Sequence, residues 1–139
     1  MTRALGVDLG EKRIGIALSD PTRTIASPHS VIKRSGNVDV DRRAVLNIAR
    51  EEGATQLVVG LPLTLTGARR AAARAALAEV EALKDLAPDL IVEAFDERLT
   101  TAIAQRSLLE GDVRRKDRKQ VIDKVAAAVM LQSWLDGQR

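Results

Sequence analysis

The sequence contains no cysteine, no tyrosine, and one residue each of histidine, tryptophan and phenylalanine among its 139 residues. The lack of cysteine excludes a disulfide framework and thiolate chemistry. With so few aromatic rings, the protein cannot bind single strands chiefly by stacking bases on aromatic side chains. No apolar run approaches the length of a membrane span and the N-terminus carries no signal-peptide pattern, which predicts a cytoplasmic protein that does not bind membranes.

The residues that are present are mostly aliphatic or charged, at 45% hydrophobic and 29% charged. This composition predicts one domain over residues 1–139, with a core of valine, isoleucine, leucine and alanine. The formal net charge is +3, and arginine outnumbers lysine. Because arginine binds phosphate oxygens bidentately, this balance favours a polyanionic partner that is contacted mainly through its phosphates.

The first twenty residues predict a β-hairpin that carries one carboxylate on its small face. Large aliphatic residues alternate with small ones on both sides of a turn at Gly10-Glu11-Lys12. Asp8 lies between Gly6 and Gly10, and glycine leaves room for a ligand or for another backbone. An ionised aspartate in a half-buried strand requires a cation, a metal ion or hydrogen-bond donors.

The remaining pattern predicts a third strand, then helix, strand, helix, strand and two further helices. Pro28 in the third strand favours an edge position, because proline cannot donate to a central ladder. Two strand-helix-strand crossovers imply a largely parallel sheet with helices on its faces. The fold class is therefore predicted to be α/β.

Two of the predicted helices carry specific expectations. The alanine-rich helix from about Thr66 to Leu86 is expected to bury Leu77, Val80, Leu83 and Leu86. A helix that begins at Thr100 or Thr101 is expected to end at Gly111.

The last helix is expected to begin near Asp117, which forms a capping box with Gln120, and to end near Leu135. The basic segment from Arg114 to Lys119 precedes it as a connection. Because the helix is apolar almost all round, we expect it to be buried on most faces. That places Asp123, close to its N-terminus, on a packed face.

Acidic residues at three places in the chain could form one site. Asp8 lies on the first strand, Asp96 and Glu97 end the last strand, and Asp123 lies in the last helix. Ligands gather beyond the carboxyl ends of parallel strands, and carboxylate oxygens suit Mg²⁺ or Mn²⁺. Each acid also has a structural explanation. Asp8 can close a turn and Glu97 can pair with Arg98. Asp123 can be stabilised by the helix dipole, because it lies near the N-terminus of its helix. The single histidine, His29, is expected to be structural.

An ordered set of motifs along the whole chain resembles the YqgF/RuvX family of Holliday-junction resolvases. These motifs are Val7-Asp8-Leu9-Gly10 with Arg13-Ile14-Gly15, then Gly60-Leu61-Pro62-Leu63, Asp96-Glu97-Arg98-Leu99-Thr100-Thr101 and Asp123-Lys124-Val125-Ala126-Ala127. The resemblance implies a ribonuclease-H-like fold with a five-stranded mixed sheet in the order 3-2-1-4-5 and helices on both faces.

The same resemblance implies that Asp8, Glu97 and Asp123 are catalytic acids that bind Mg²⁺ or Mn²⁺, and it leaves the role of Asp96 open. One departure from the related RuvC resolvases is visible. They carry an acid at the end of the fourth strand, where this chain has Gly60-Leu61-Pro62.

The function implied is a nuclease that trims the 5′ end of precursor 16S rRNA or resolves four-way DNA junctions. Its expected nucleic-acid contacts are Arg13, Arg98, Arg114, Arg115, Lys116, Arg118 and Lys119. Analogy with resolvases that cut two strands symmetrically suggests a homodimer. Two alternatives stay open: a catalytically silent nucleic-acid-binding protein in ribosome assembly or transcription, and a nucleotide-binding module. The sequence does not distinguish DNA from RNA, since phosphate contacts do not specify the polymer.

Overall fold

The computed structural model describes residues 2–61, 67–96 and 115–138. Within these ranges the chain forms β1 (Arg3–Leu9), β2 (Arg13–Ser19), β3 (Ala26–Lys33), α1 (Val38–Glu51), β4 (Ala54–Leu61), α2 (Gly67–Leu86), β5 (Ile91–Asp96) and α3 (Arg115–Gly137). The helix expected between Thr100 and Gly111 lies outside the described residues. None of the helices described is both long and apolar enough to cross a membrane.

The five strands form one mixed sheet in the order β3-β2-β1-β4-β5. The strands β1, β4 and β5 are parallel, whereas β2 is antiparallel to both β1 and β3. This confirms the expected order. It also confirms the edge position of β3, where Pro28 pairs with Ala17 beside a shift in register.

The helices cover both faces of the sheet, as expected. On one face α1 and α2 pack against Leu5, Val7 and other odd-numbered residues of β1. On the other face α3 packs against small residues such as Ala4 and Ala17. Because successive strand residues face opposite sides of the sheet, the side chains of β1 and β2 alternate between the face covered by α1 and α2 and the face covered by α3.

Helix α3 lies very close to the sheet because glycine occupies the contact positions. A Cβ atom added to Gly15 would lie 2.1 Å from the carbonyl oxygen of Asp123. One added to Gly6 would lie 3.0 Å from the Cβ of Leu131 and 3.3 Å from the carbonyl oxygen of Ala127. The room left by Gly6 and Gly15 is therefore filled by the backbone and first side-chain atoms of α3.

The buried stripe of α2 differs from the prediction. Val80 and Leu83 are buried, as expected, but Leu77 and Leu86 are 48% and 49% exposed. The stripe continues instead through Ala73 and Ala76 of the helix and through Ala87, which directly follows it. Small side chains let the helix approach the sheet, so the face that packs is not the face richest in leucine.

The start of the last helix also differs from the prediction. Because α3 begins at Arg115, the segment Arg115–Lys119 forms its first turns and is not a connection, and Asp117 does not cap the helix. Arginine, lysine and glutamine are good helix formers, so the helix continues toward its N-terminus beyond the first polar residue that could cap it. Arg114 lies outside the described residues.

Ion pairs and side-chain caps stabilise the parts of the fold away from α3. Arg42 of α1 binds Glu79 of α2 through two guanidinium nitrogens, and this hydrogen-bonded carboxylate raises the pKa of Arg42. Just after the C-terminal end of β2, hydrogen bonds from the Ile25 backbone N–H and the Thr22 hydroxyl lower the pKa of Asp20 to about 2. These contacts fix the two-helix layer and the β2–β3 connection.

We expect Gly15→Ala to destabilise the protein, because the new methyl group would meet the backbone of α3 and force it away from β2. Overpacking of this kind costs about 1–3 kcal/mol in unfolding free energy, or more where backbone must move. Urea unfolding would measure the loss.

The matched control is Gly137→Ala, where an added Cβ would meet no atom within 4 Å. Its stability should stay close to that of the wild type, because alanine is also the better helix former. Equal stability of the two variants would contradict the close contact at Gly15.

Candidate active site

The carboxyl ends of β1, β4 and β5 lie at one edge of the sheet because these strands are parallel. Strand β2 begins at the same edge with Arg13, and β3 ends there with Lys33, since Arg13 and Lys33 are cross-strand partners. This edge therefore collects the residues that the sequence singled out around Asp8. It is also the edge at which open α/β sheets bind ligands.

Asp8 is partly buried near the end of β1, on the face that α3 covers. Its cross-strand partner on β2 is Gly15. On the other side, continuing the register that pairs Val7 with Val59 brings Gly60 of β4 next to Asp8. Since neither neighbour carries a side chain, the Asp8 carboxylate lies between two glycine positions on this face.

Asp123 is held next to Asp8 by the contact between helix and sheet. Its carbonyl oxygen is the atom that a Cβ on Gly15 would strike, and Gly15 is the partner of Asp8. The Asp123 Oδ2 atom accepts a hydrogen bond from Arg13 Nε at 2.8 Å, and both side chains are about a quarter exposed, at 24% and 25%. The structure thus brings Asp8, Asp123 and Arg13 together around one glycine.

A shallow cavity of about 300 Å³ opens beside this group, lined by Asp123, Arg13 and the turn from Gly10 to Lys12. The turn is closed by a hydrogen bond from Gly10 N–H to the Arg13 carbonyl at 2.9 Å. Arg34 braces it from outside, because its backbone N–H donates to the Lys12 carbonyl at 2.9 Å and its Nε donates to the Gly10 carbonyl at 2.7 Å. Sequence reasoning missed Arg34, and no local signal marks it.

The third predicted acid, Glu97, lies outside the described residues, as does Arg98, and the side chain of Asp96 is likewise not described. The last described residues of β5 nevertheless define which face each position meets. Glu93 accepts a hydrogen bond from Trp134 Nε1 of α3, and Phe95 packs against the same core. Odd-numbered positions of β5 therefore face α3.

Among residues 2–61, 67–96 and 115–138, no three histidine, cysteine or acidic side chains are grouped closely enough to hold a metal ion. Asp8 and Asp123 together offer carboxylate oxygens on one face beside glycine, a donor set suited to Mg²⁺ or Mn²⁺. His29 contributes to no such group and instead contacts Ser30 and Glu52 through hydrogen bonds.

The family comparison identifies the chain. The model of the RuvX family, described as Holliday junction resolvase, matches residues 2–137. The chain belongs to the RuvX family. A relative from Nocardia farcinica is 43% identical over 139 residues, covering 96% of this chain and 77% of the relative. One from Syntrophomonas wolfei is 42% identical over 135 residues, covering 97% and 94%. Both carry the name "Putative pre-16S rRNA nuclease".

Solved structures share the fold of this RuvX-family chain. RuvC of Thermus thermophilus, solved in complex with a Holliday junction substrate, superposes with a TM-score of 0.64 at 16% identity over 99% of this chain and 96% of RuvC. The fowlpox virus resolvase, solved with Holliday junction DNA, gives a TM-score of 0.52 at 9% identity. At such low identities the likeness concerns the fold, and it confirms the ribonuclease-H-like architecture expected from the sequence.

The Arg13–Asp123 ion pair should contribute measurably to stability, because it is only partly exposed and joins α3 to β2. In a double-mutant cycle with Arg13→Gln and Asp123→Asn, urea unfolding should give a coupling energy of about 1 kcal/mol.

The control cycle uses the exposed helical pair Lys84–Glu81, with side chains 48% and 72% exposed. Its coupling should be a few tenths of a kcal/mol at most, roughly the value of an exposed i, i+3 pair. Additive effects of Arg13→Gln and Asp123→Asn would mean that the observed hydrogen bond contributes nothing to the fold.

Proposed function

We propose that this protein is a divalent-metal-dependent endonuclease of structured nucleic acid. Its substrates in this proposal are the 5′ end of precursor 16S rRNA and, as the family description suggests, four-way DNA junctions. The observation that carries the proposal is the meeting of Asp8, Asp123 and Arg13 around Gly15 at the carboxyl edge of the sheet. Two acids and one arginine at such an edge suit the hydrolysis of a phosphodiester.

In this proposal Asp8, Glu97 and Asp123 hold Mg²⁺ or Mn²⁺ through their carboxylate oxygens. When bound, such an ion lowers the pKa of a coordinated water and stabilises the charge that develops on phosphate oxygens. We propose Glu97 in preference to Asp96 because the motif Asp96-Glu97-Arg98-Leu99-Thr100-Thr101 resembles that of the RuvX family, in which this glutamate is the implied ligand.

Arg13 has two roles in the proposed site. Its Nε hydrogen bond orients the Asp123 carboxylate and balances its charge. A guanidinium carries five N–H donors, and this hydrogen bond uses one of them. The terminal nitrogens of Arg13, at the rim of the cavity, can therefore donate to an oxygen of the phosphate that is cut.

Because Gly60 has no side chain, β4 places no side chain beside Asp8, whereas the space at Gly15 on β2 is filled by the backbone of Asp123. A phosphate can therefore approach the Asp8 carboxylate from the β4 side. The RuvC resolvases that this chain resembles carry an acid at the end of the fourth strand, where this chain has Gly60-Leu61-Pro62. We propose that Glu97 takes over the role of that acid.

Further phosphate contacts are proposed for the basic start of α3, formed by Arg115, Lys116, Arg118 and Lys119, and for Arg98 and Arg114. At 1.5 Å per residue, the helix backbone at Arg115 lies about 12 Å from Asp123 along the axis. A cationic helix end at this distance is suited to bind the nucleic-acid backbone beyond the cut. A homodimer and a cytoplasmic location belong to the same proposal.

A second candidate is a nucleic-acid-binding protein without catalytic activity, acting in ribosome assembly or transcription. Two observations favour it. Asp123 is already paired with Arg13, and the end of β4 offers glycine and leucine where an acid would complete a metal site.

Asp8→Asn should abolish cleavage while leaving binding intact, because it removes one anionic oxygen ligand and little volume. Loss of several kcal/mol of transition-state stabilisation corresponds to a fall of about a hundredfold or more in rate. The measurement compares wild type and variant with Mg²⁺ or Mn²⁺ on a four-way DNA junction and on a precursor 16S rRNA fragment.

Asp85→Asn is the matched control, since Asp85 is an exposed aspartate of α2 on the opposite face; its activity should equal that of the wild type. If Asp8→Asn cleaves as fast as the wild type, the proposed active site is wrong. If the wild type binds both substrates and cleaves neither, the second candidate is favoured.

A further inference from the structure

A group of cations lies next to the candidate site on the β2–β3 side. Arg13 and Lys33 are cross-strand partners, so their side chains lie on the same face of the sheet. Because Arg13 reaches Asp123 of α3 on that face, Lys33 also lies on the α3 face, at the end of the edge strand. Lys12 precedes Arg13 in the turn, and both lysines are exposed.

Lys12 and Lys33 are distinguished by their position next to the candidate site. Some basic residues elsewhere in the described chain pair with carboxylates, as in Arg3–Glu52, Arg42–Glu79, Arg50–Asp89 and Lys84–Glu81, whereas others, such as Arg43 and Arg74, form no such pair. No described carboxylate forms an ion pair with Lys12 or Lys33. Lys33 lies opposite Arg13 on the neighbouring strand, and the charge of Arg13 is already balanced by Asp123 at 2.8 Å. An anion that binds beside Arg13 therefore meets the charges of Lys12 and Lys33.

The turn that presents Lys12 is rigidly held. Arg34 donates to the carbonyl oxygens of both Gly10 and Lys12, and Gly10 bonds to Arg13 across the turn. Binding of a partner by Lys12 then costs little ordering of the backbone. The one acidic residue of this turn, Glu11, is exposed, and its negative charge repels an anion that binds there.

We infer that Lys12 and Lys33 form a phosphate-binding surface for the backbone of the nucleic acid, next to the candidate active site. This inference rests on the proposed function and adds a contact on the side of the site away from β5. Across the edge, the strand order runs from Lys33 on β3 through Arg13 on β2 to Asp8 on β1. Asp8 pairs with Gly15 and Lys33 pairs with Arg13, two residues away on β2. With strands about 4.8 Å apart and about 3.3 Å per residue along them, the backbones of Lys33 and Asp8 lie roughly 12 Å apart. Lys33 therefore contacts phosphates that flank the one at the site.

The test measures binding of the whole chain to a four-way DNA junction and to a precursor 16S rRNA fragment as salt is varied. Each phosphate contact contributes about 0.7 to 0.9 to the slope of log K against log salt concentration. The double variant Lys12→Gln/Lys33→Gln should bind more weakly at low salt and should lower the slope by about 1.4 to 1.8.

A matched control removes the same charge elsewhere. Arg43 of α1 and Arg74 of α2 are exposed on the other face of the sheet, so Arg43→Gln/Arg74→Gln should leave the slope unchanged. Glu11→Gln removes the opposing charge in the turn and should tighten binding. Thermal unfolding of the lysine variant should match that of the wild type, because both lysines are exposed and form no ion pair with a described carboxylate.

An unchanged slope for the lysine variant would overturn the surface even if the wild type binds and cleaves. An equal loss of slope in the Arg43→Gln/Arg74→Gln control would also overturn it, because binding would then depend on net charge alone. Competition by polyglutamate as effective as competition by nucleic acid would point to an acidic protein partner instead. Failure of the proposed function is distinct, since it would appear as wild-type protein that binds neither substrate or binds without cutting.

Discussion

The contact between Gly15 and the backbone of Asp123 is the constraint on which the candidate site depends. A helix can approach a strand this closely only where the strand residue has no Cβ atom, and a Cβ on Gly15 would lie 2.1 Å from the Asp123 carbonyl oxygen. Because Gly15 is also the cross-strand partner of Asp8, one glycine determines how closely the backbone of Asp123 approaches the strand next to Asp8. The second glycine, Gly6, extends the same contact toward Leu131 and fixes the direction of α3.

Charge is arranged around this contact in a consistent way. Asp8 and Asp123 lie on the same face of the sheet, and Arg13 donates a hydrogen bond to the Asp123 carboxylate at 2.8 Å, which balances its charge. Beyond Arg13 the edge becomes cationic through Lys12 and Lys33, and α3 begins with a basic segment. A cationic surface beside this site attracts a polyanion. The match to the RuvX family and its relatives named as nucleases, and not this charge pattern, favours a nuclease over a nucleotide-binding module.

Some features were missed for identifiable reasons. The leucine pattern of α2 predicts only part of its buried face. Alanines join Val80 and Leu83 against the sheet, because small side chains allow close packing. The capping pattern predicts that α3 begins near Asp117, later than its observed start at Arg115. A capping residue favours a helix start at its position but does not prevent an earlier one. The role of Arg34 could not be predicted from the sequence. Its side chain donates a hydrogen bond to the carbonyl oxygen of Gly10, which lies 24 residues earlier in the chain.

The sequence by itself determined the β-hairpin, the edge strand with Pro28, the α/β class and, through its ordered motifs, the sheet order and the family. The hairpin, the edge strand and the α/β class follow from alternation, turn residues and the order of the elements along the chain. The sheet order and the family follow from the resemblance of the motifs to the RuvX family. The tertiary structure alone decided that Asp123 pairs with Arg13, 110 residues away, and that both lie around the partner of Asp8. No local pattern encodes which residues of a helix meet which residues of a strand, because that depends on how closely the backbones can approach, and here the approach is set by two glycines.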